Sequence, residues 1–265
     1  ARSAKEGDQH QGKTMRVAFA ASIFSLMAAG AAMADAAPGA YAAYAAGDYE
    51  AAVDLAKRAG TAEDYALAAR AMNAVAYFDD GRKSARRTAG DAFDIAEQAI
   101  RLDPRLPEAH LQAAIGLGLK GARLSPMRAL LSGLAGKARD EIDAALALDP
   151  ENPWALSTSA AWRIEVARRG GGALYGADAR EGYEEFRKAR ALAPDNLTIA
   201  YECALRLIAD GREEWRADGL ASLDVALAAT PATKFEKDLQ ALARDFKAAI
   251  AAGEKSESAF IDAQP

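Results

Sequence analysis

One phrase recurs in this chain and restricts its fold more than any other feature: a helix-forming run that halts at a proline. It reads IAEQAIRLDP at 95–104, EIDAALALDP at 141–150, FRKARALAP at 186–194 and LDVALAATP at 223–231. Proline cannot continue the i to i−4 ladder and pushes the residue before it out of the helical region, so each phrase ends a helix. In DPRLPE and DPENPW a second proline, Pro107 and Pro153, stands three residues on. A proline suits the first turn of a helix, so one helix closes and another opens within a few residues. A chain punctuated in this way is a series of antiparallel helix pairs.

Counting back from each proline shows what else recurs. Before Pro104 come Ala99, Ala96 and Ala92; before Pro150, Ala145, Ile142 and Ala138; before Pro194, Ala189, Phe186 and Gly182; before Pro231, Ala226, Leu223 and Gly219. The outer two positions of every set are Ala or Gly. Residues at such offsets share one helix face, so two small residues let a neighbouring helix approach while the residue between them fills the gap. Alanine supplies roughly a quarter of the chain while aromatics are only 7%, a balance that favours close-packed helices over sheets. The expected fold class is all-α.

These residues resemble the tetratricopeptide repeat (TPR), in which helices A and B pair through small residues and helix B ends in a proline. AAGDYEAAVDLAKRAG looks like the same module, with Gly47-Asp48-Tyr49 as its turn and Ala52 and Ala59 as its small pair. The resemblance covers roughly Pro38 to Gly253 and implies a right-handed solenoid of antiparallel helix pairs, closed by a C-terminal capping helix in KFEKDLQALARDFKAAIAAG. The prolines at 104, 150, 194 and 231 lie 46, 44 and 37 residues apart, against about 34 for the standard repeat. The pairs are therefore longer, with the excess expected between the helices in GRKSARRTAG, GARLSPMRALLSGLAG and RRGGGALYGADAREG. Ser125-Pro126 reads as an N-cap and first-turn proline of a helix running from about Pro126 to Leu148.

The ends of the chain carry a different message. From Met15, MRVAFAASIFSLMAAGAAMADAAPG has the order of a secretory signal: Arg16, an apolar stretch from Val17, then Ala32-Met33-Ala34 as an A-x-A cleavage site. The expected domains are an upstream extension at 1–14, a signal peptide at 15–34, the TPR-like domain at 35–253 and a flexible tail at 254–265. The expected location is the periplasm, with no stable membrane span after cleavage. Removing residues 1–34 takes away Arg2, Lys5, Lys13 and Arg16 and also Glu6 and Asp8, which moves the net charge from −5 to −7. Such a surface repels nucleic acid.

The inventory for chemistry is short. Beyond the signal only His110 and Cys203 remain of their types. No His-rich metal site and no Ser-His-Asp or Cys-His arrangement can be built without His110, and one thiol makes no intramolecular disulfide. Both read as packing residues. Gly170-Gly171-Gly172 lacks the spacing and the Lys-Ser/Thr of a phosphate loop and reads as a helix cap and turn. Arg82, Lys83, Arg86 and Arg87 read as a solvated inter-helix loop. Glu184-Glu185 and Glu213-Glu214 are adjacent pairs that face different directions on a helix. No cofactor and no metal are expected, and the chain reads as a non-enzyme.

Function is then expected on the concave face that the A helices line in a TPR array. The resemblance places there Arg70, Asn73, Leu111, Gln112, Ile115, Trp154, Thr158, Tyr201, Glu202 and Leu205, although Trp154, Trp162 and Tyr201 also suit a core. The leading expectation is a protein-binding scaffold of the bacterial cell envelope that holds a partner segment in this groove. The alternative is a carrier of a hydrophobic small molecule or lipid.

Overall fold

The structure, a computed structural model, describes residues 37–265; the expected extension and signal peptide at 1–34 lie outside the described residues. These residues form fourteen helices and, among them, no strand. In chain order they are α1 Pro38–Ala46, α2 Tyr49–Ala59, α3 Ala62–Phe78, α4 Arg82–Leu102, α5 Pro107–Ala122, α6 Pro126–Leu131, α7 Leu134–Leu148, α8 Pro153–Arg168, α9 Gly172–Tyr175, α10 Ala179–Leu192, α11 Leu197–Asp210, α12 Glu213–Ala228, α13 Lys234–Ala251 and α14 Glu254–Ala263.

The proline phrases stop helices where expected, and the residue before three of the four prolines contributes too. The backbone N–H of Asp103, Asp149 and Ala193 closes α4, α7 and α10 onto the carbonyls of Ala99, Ala145 and Ala189. Asp103 then accepts a hydrogen bond from Arg105 N at 2.8 Å, and Asp149 one from Glu151 N at 3.3 Å, so the aspartate organises the turn that proline starts. Asn152 caps α8 through Trp154 N and Ala155 N, both at 3.0 Å, and Asn196 caps α11 through Ile199 N at 3.0 Å. Capping boxes at Thr61/Asp64 and Thr233/Glu236 start α3 and α13.

The small residues lie where helices press together. Ala92, Ala96, Ala99, Ala138, Ile142, Ala145, Phe186, Ala189, Leu223 and Ala226 are all buried, as are Gly182 and Gly219. A Cβ at Gly182 would stand 2.9 Å from the carbonyl oxygen of Ala160, closer than two helices can bring such atoms. In the N-terminal pair Ala52 and Ala56 are buried whereas Ala59 is exposed, so the small pair there has a spacing of four rather than seven.

Each long helix packs on its partner and on the next pair: α1 on α2, α3 on α4, α5 on α7, α8 on α10 and α11 on α12, while α1, α3, α5, α8, α11 and α13 touch one another in succession. Helix α13 also touches α1. Near the start of α13, the rings of Tyr77 and Phe78, at the end of α3, meet Phe235 of α13 edge-on with centroids 5.8 and 5.4 Å away.

Four expectations are corrected. GRKSARRTAG is helix rather than loop, because Arg, Lys and Ala favour helix and Ala85 and Ala89 extend the buried alanine stripe of α4. The basic cluster thus occupies the first turns of α4. The helix expected over Pro126–Leu148 is broken at Ser132-Gly133: Gly133 sits at φ 71°, a left-handed conformation that ends α6. The insertion RRGGGALYGADAREG contains the short helix α9, and Gly170, at φ 83°, turns the chain out of α8. The segment expected as a flexible tail, 254–265, is largely helix α14, packed against α11 and α13. Phe260 and Ile261 are the physical reason: they pack against the cluster of Tyr201, Leu205 and Phe246, with Phe260 stacked 4.8 Å from Phe246.

Candidate functional site

Of the residues expected on a groove, the structure turns most into packing and internal hydrogen bonds. Leu111, Tyr201 and Leu205 are buried core residues, and Asn73 and Gln112 are buried as well. Asn73 Nδ2 donates to Gln112 Oε1 at 2.9 Å and to its backbone carbonyl at 3.0 Å, while Gln112 Nε2 donates to Glu108 Oε1 at 2.9 Å. Arg70 faces Glu108 at 3.8 Å and lies over the rings of Tyr44 and Trp154. This ladder joins α1, α3, α5 and α8. Ile115, Trp154 and Thr158 remain partly exposed.

A second network, which the sequence reading did not anticipate, joins α3, α8 and α11. Tyr77 Oη donates to Glu202 Oε1 at 3.0 Å. The other oxygen of Glu202 pairs with Arg206 at 3.3 Å, and Arg206 reaches Glu165 at 3.6 Å. Glu165 also holds Arg168 at 2.9 Å and pairs with Arg169. Burial works against the charge on Glu165, yet Arg206, Arg168 and Arg169 outweigh it and hold the carboxyl down at about 2. Burial, reinforced by Glu202, pushes the Tyr77 phenol well up, so it stays a donor.

Helix α14 closes over this network. Arg216 of α12 grips Glu257 through two hydrogen bonds of 2.9 and 2.7 Å. Tyr201 Oη donates to Gln264 Oε1 at 3.4 Å, and Arg206 Nη2 donates to the backbone carbonyl of Pro265 at 3.0 Å. The only signs of this docking in the sequence were the apolar pair Phe260-Ile261 and the acid Glu257 in an otherwise polar end.

Between α14 and the ends of α5, α8 and α11 lies a half-open cavity of about 430 Å³. Arg82, Arg123, Arg168, Arg169 and Arg206 line it, with Glu165 and Asp262 as its acids. Neither a family model nor a curated protein matches this chain. The site must therefore be read from its own chemistry.

His110 and Cys203 take packing roles. The two ring nitrogens of His110 face Glu141 Oε2 at 2.7 Å and the carbonyl of Pro104 at 3.0 Å. Two acceptors favour the doubly protonated ring: the Glu141 hydrogen bond raises its pKa, and burial only partly opposes this. Cys203 is buried against Ser222, and burial pushes its thiol up, away from the reactive thiolate. Among the described residues no group of three His, Cys, Asp or Glu side chains is placed to hold a metal, and no helix is long and apolar enough to cross a membrane.

Proposed function

We propose that this chain is a non-catalytic binding protein of the bacterial periplasm, built as a right-handed TPR-like array whose inner surface receives a segment of a protein partner. The observation that carries this reading is the docking of α14: the faces of α11 and α13, with Arg216 of α12, accept a helical segment through stacked aromatic, apolar and charged contacts at once. A surface that takes one amphipathic segment in this manner has the chemistry to take another. The recurring Pro and Ala/Gly phrases support the array, and the A-x-A motif after an apolar stretch supports export. The arginine lining of the cavity favours charged groups over the lipid or hydrophobic small molecule of the alternative reading.

The test is a native mass spectrum of the protein purified gently from an envelope fraction. A chain beginning at Asp35 in stoichiometric complex with one recurring protein is expected. Repeated spectra of the chain alone, or of the chain carrying an apolar small molecule, contradict the proposal.

A further inference from the structure

The arginine-lined cavity has properties that packing does not require. Five guanidinium groups face two carboxylates there, in a chain whose overall charge is −5. Glu165 is shared by Arg168, Arg169 and Arg206. Arg82 and Arg123 make no close ion pair among the described residues, although the carboxylate of Asp79 is within the electrostatic reach of Arg123; Arg82 donates to the carbonyl of Arg123 at 3.2 Å, and Arg123 to that of Tyr77 at 3.4 Å. The Nε atoms of Arg123 and Arg206 are buried without a hydrogen-bond partner. A buried donor left unsatisfied costs about 1–3 kcal/mol, and more when charged, so such groups call for a counter-charge.

Arg82 opens α4, which starts at Gly81 with no side-chain cap and no acidic residue in its first turn. The Asp79 carboxylate, which accepts from Gly81 N at 2.7 Å, already answers the dipole at that end, so it is the arginine lining rather than the helix terminus that calls for an anion. Arginine presents paired donors that match carboxylate and phosphate oxygens, and the walls exclude part of the solvent that would otherwise screen them. The space suits a small molecule rather than a folded domain.

We propose that this cavity binds a small, multiply charged anion bearing phosphate or carboxylate groups, with Arg82 and Arg123 as its principal ligands and Arg206 at its floor. The site shares α14 with the partner-binding surface proposed above, since Ile261, Asp262, Ala263 and Gln264 form one of its walls, so its test uses the full chain with α14 in place.

Calorimetric titration of the full chain with inorganic pyrophosphate and with citrate tests it. Saturable one-to-one binding of at least one probe is expected. Pyrophosphate alone indicates phosphate as the recognised group, citrate alone indicates carboxylate, and equal binding indicates recognition of charge. Arg82→Gln and Arg123→Gln should each weaken the complex about tenfold, equivalent to about 1.4 kcal/mol. Arg58→Gln, on the exposed face of α2, should leave it unchanged. If Arg123→Gln fails to fold, the more exposed Arg82→Gln carries the test. Binding of neither probe, binding that survives Arg82→Gln intact, or equal weakening by Arg58→Gln overturns the proposal.

Discussion

At the residue scale, two ionisable groups make opposite predictions about pH. Glu165 is held at about 2 against an ordinary value of 4.5, so its contribution to stability is complete above pH ~4.5 and is lost as the pH falls toward 2. With its side chain 18% exposed, the contribution is on the order of 3 kcal/mol. Glu165→Gln should lower the denaturant midpoint at neutral pH and remove much of the loss between pH 4.5 and 2, as measured by urea unfolding across that range. His110 has the reverse sign. Its folded value is raised, chiefly by the Glu141 hydrogen bond, so its contribution is complete below about pH 6.5 and fades as the pH rises through the folded value. His110→Phe should flatten that upper slope, whereas an unchanged slope would place its origin elsewhere.

At the scale of the element, the close approach of paired helices is the feature most exposed to substitution. Gly182→Ala puts a methyl group 2.9 Å from the backbone oxygen of Ala160 and 3.0 Å from Ile164 Cγ1, which α8 and α10 can relieve only by separating. A loss of about 1–3 kcal/mol is expected, despite the higher helix propensity of alanine. Chemical denaturation measures it, and a neutral or stabilising result would mean that the pair is looser than described. These contacts were legible in the sequence because the proline, the small residues and the bulky residue between them lie within one helix, where spacing alone decides the shared face. The break at Ser132-Gly133 was less legible, since glycine within a helical pattern is tolerated as often as it terminates one.

At the scale of the whole molecule, the decisive contacts join residues far apart in the chain. Tyr77 reaches Glu202 across 125 positions, and Arg216 reaches Glu257 across 41. No periodicity encodes such pairs, which is why Arg206, Glu165 and the docking of α14 escaped the sequence reading, while Tyr201 and Leu205 were placed on a groove that α14 covers. The expected groove residues were selected by position on their helices; which of them become core depends on contacts between distant helices, such as the aromatic contact of α3 with α13.

The central claim is that the inner surface is a receptor for a helical segment, held in this chain by α14. It is tested most directly by titrating a chain truncated after Ala252 with a peptide spanning 254–265. Saturable one-to-one binding is expected, restoring the thermal midpoint of the full chain and weakening about tenfold when Glu257 of the peptide is replaced by alanine. A truncated chain as stable as the full one, and indifferent to the peptide, would contradict it.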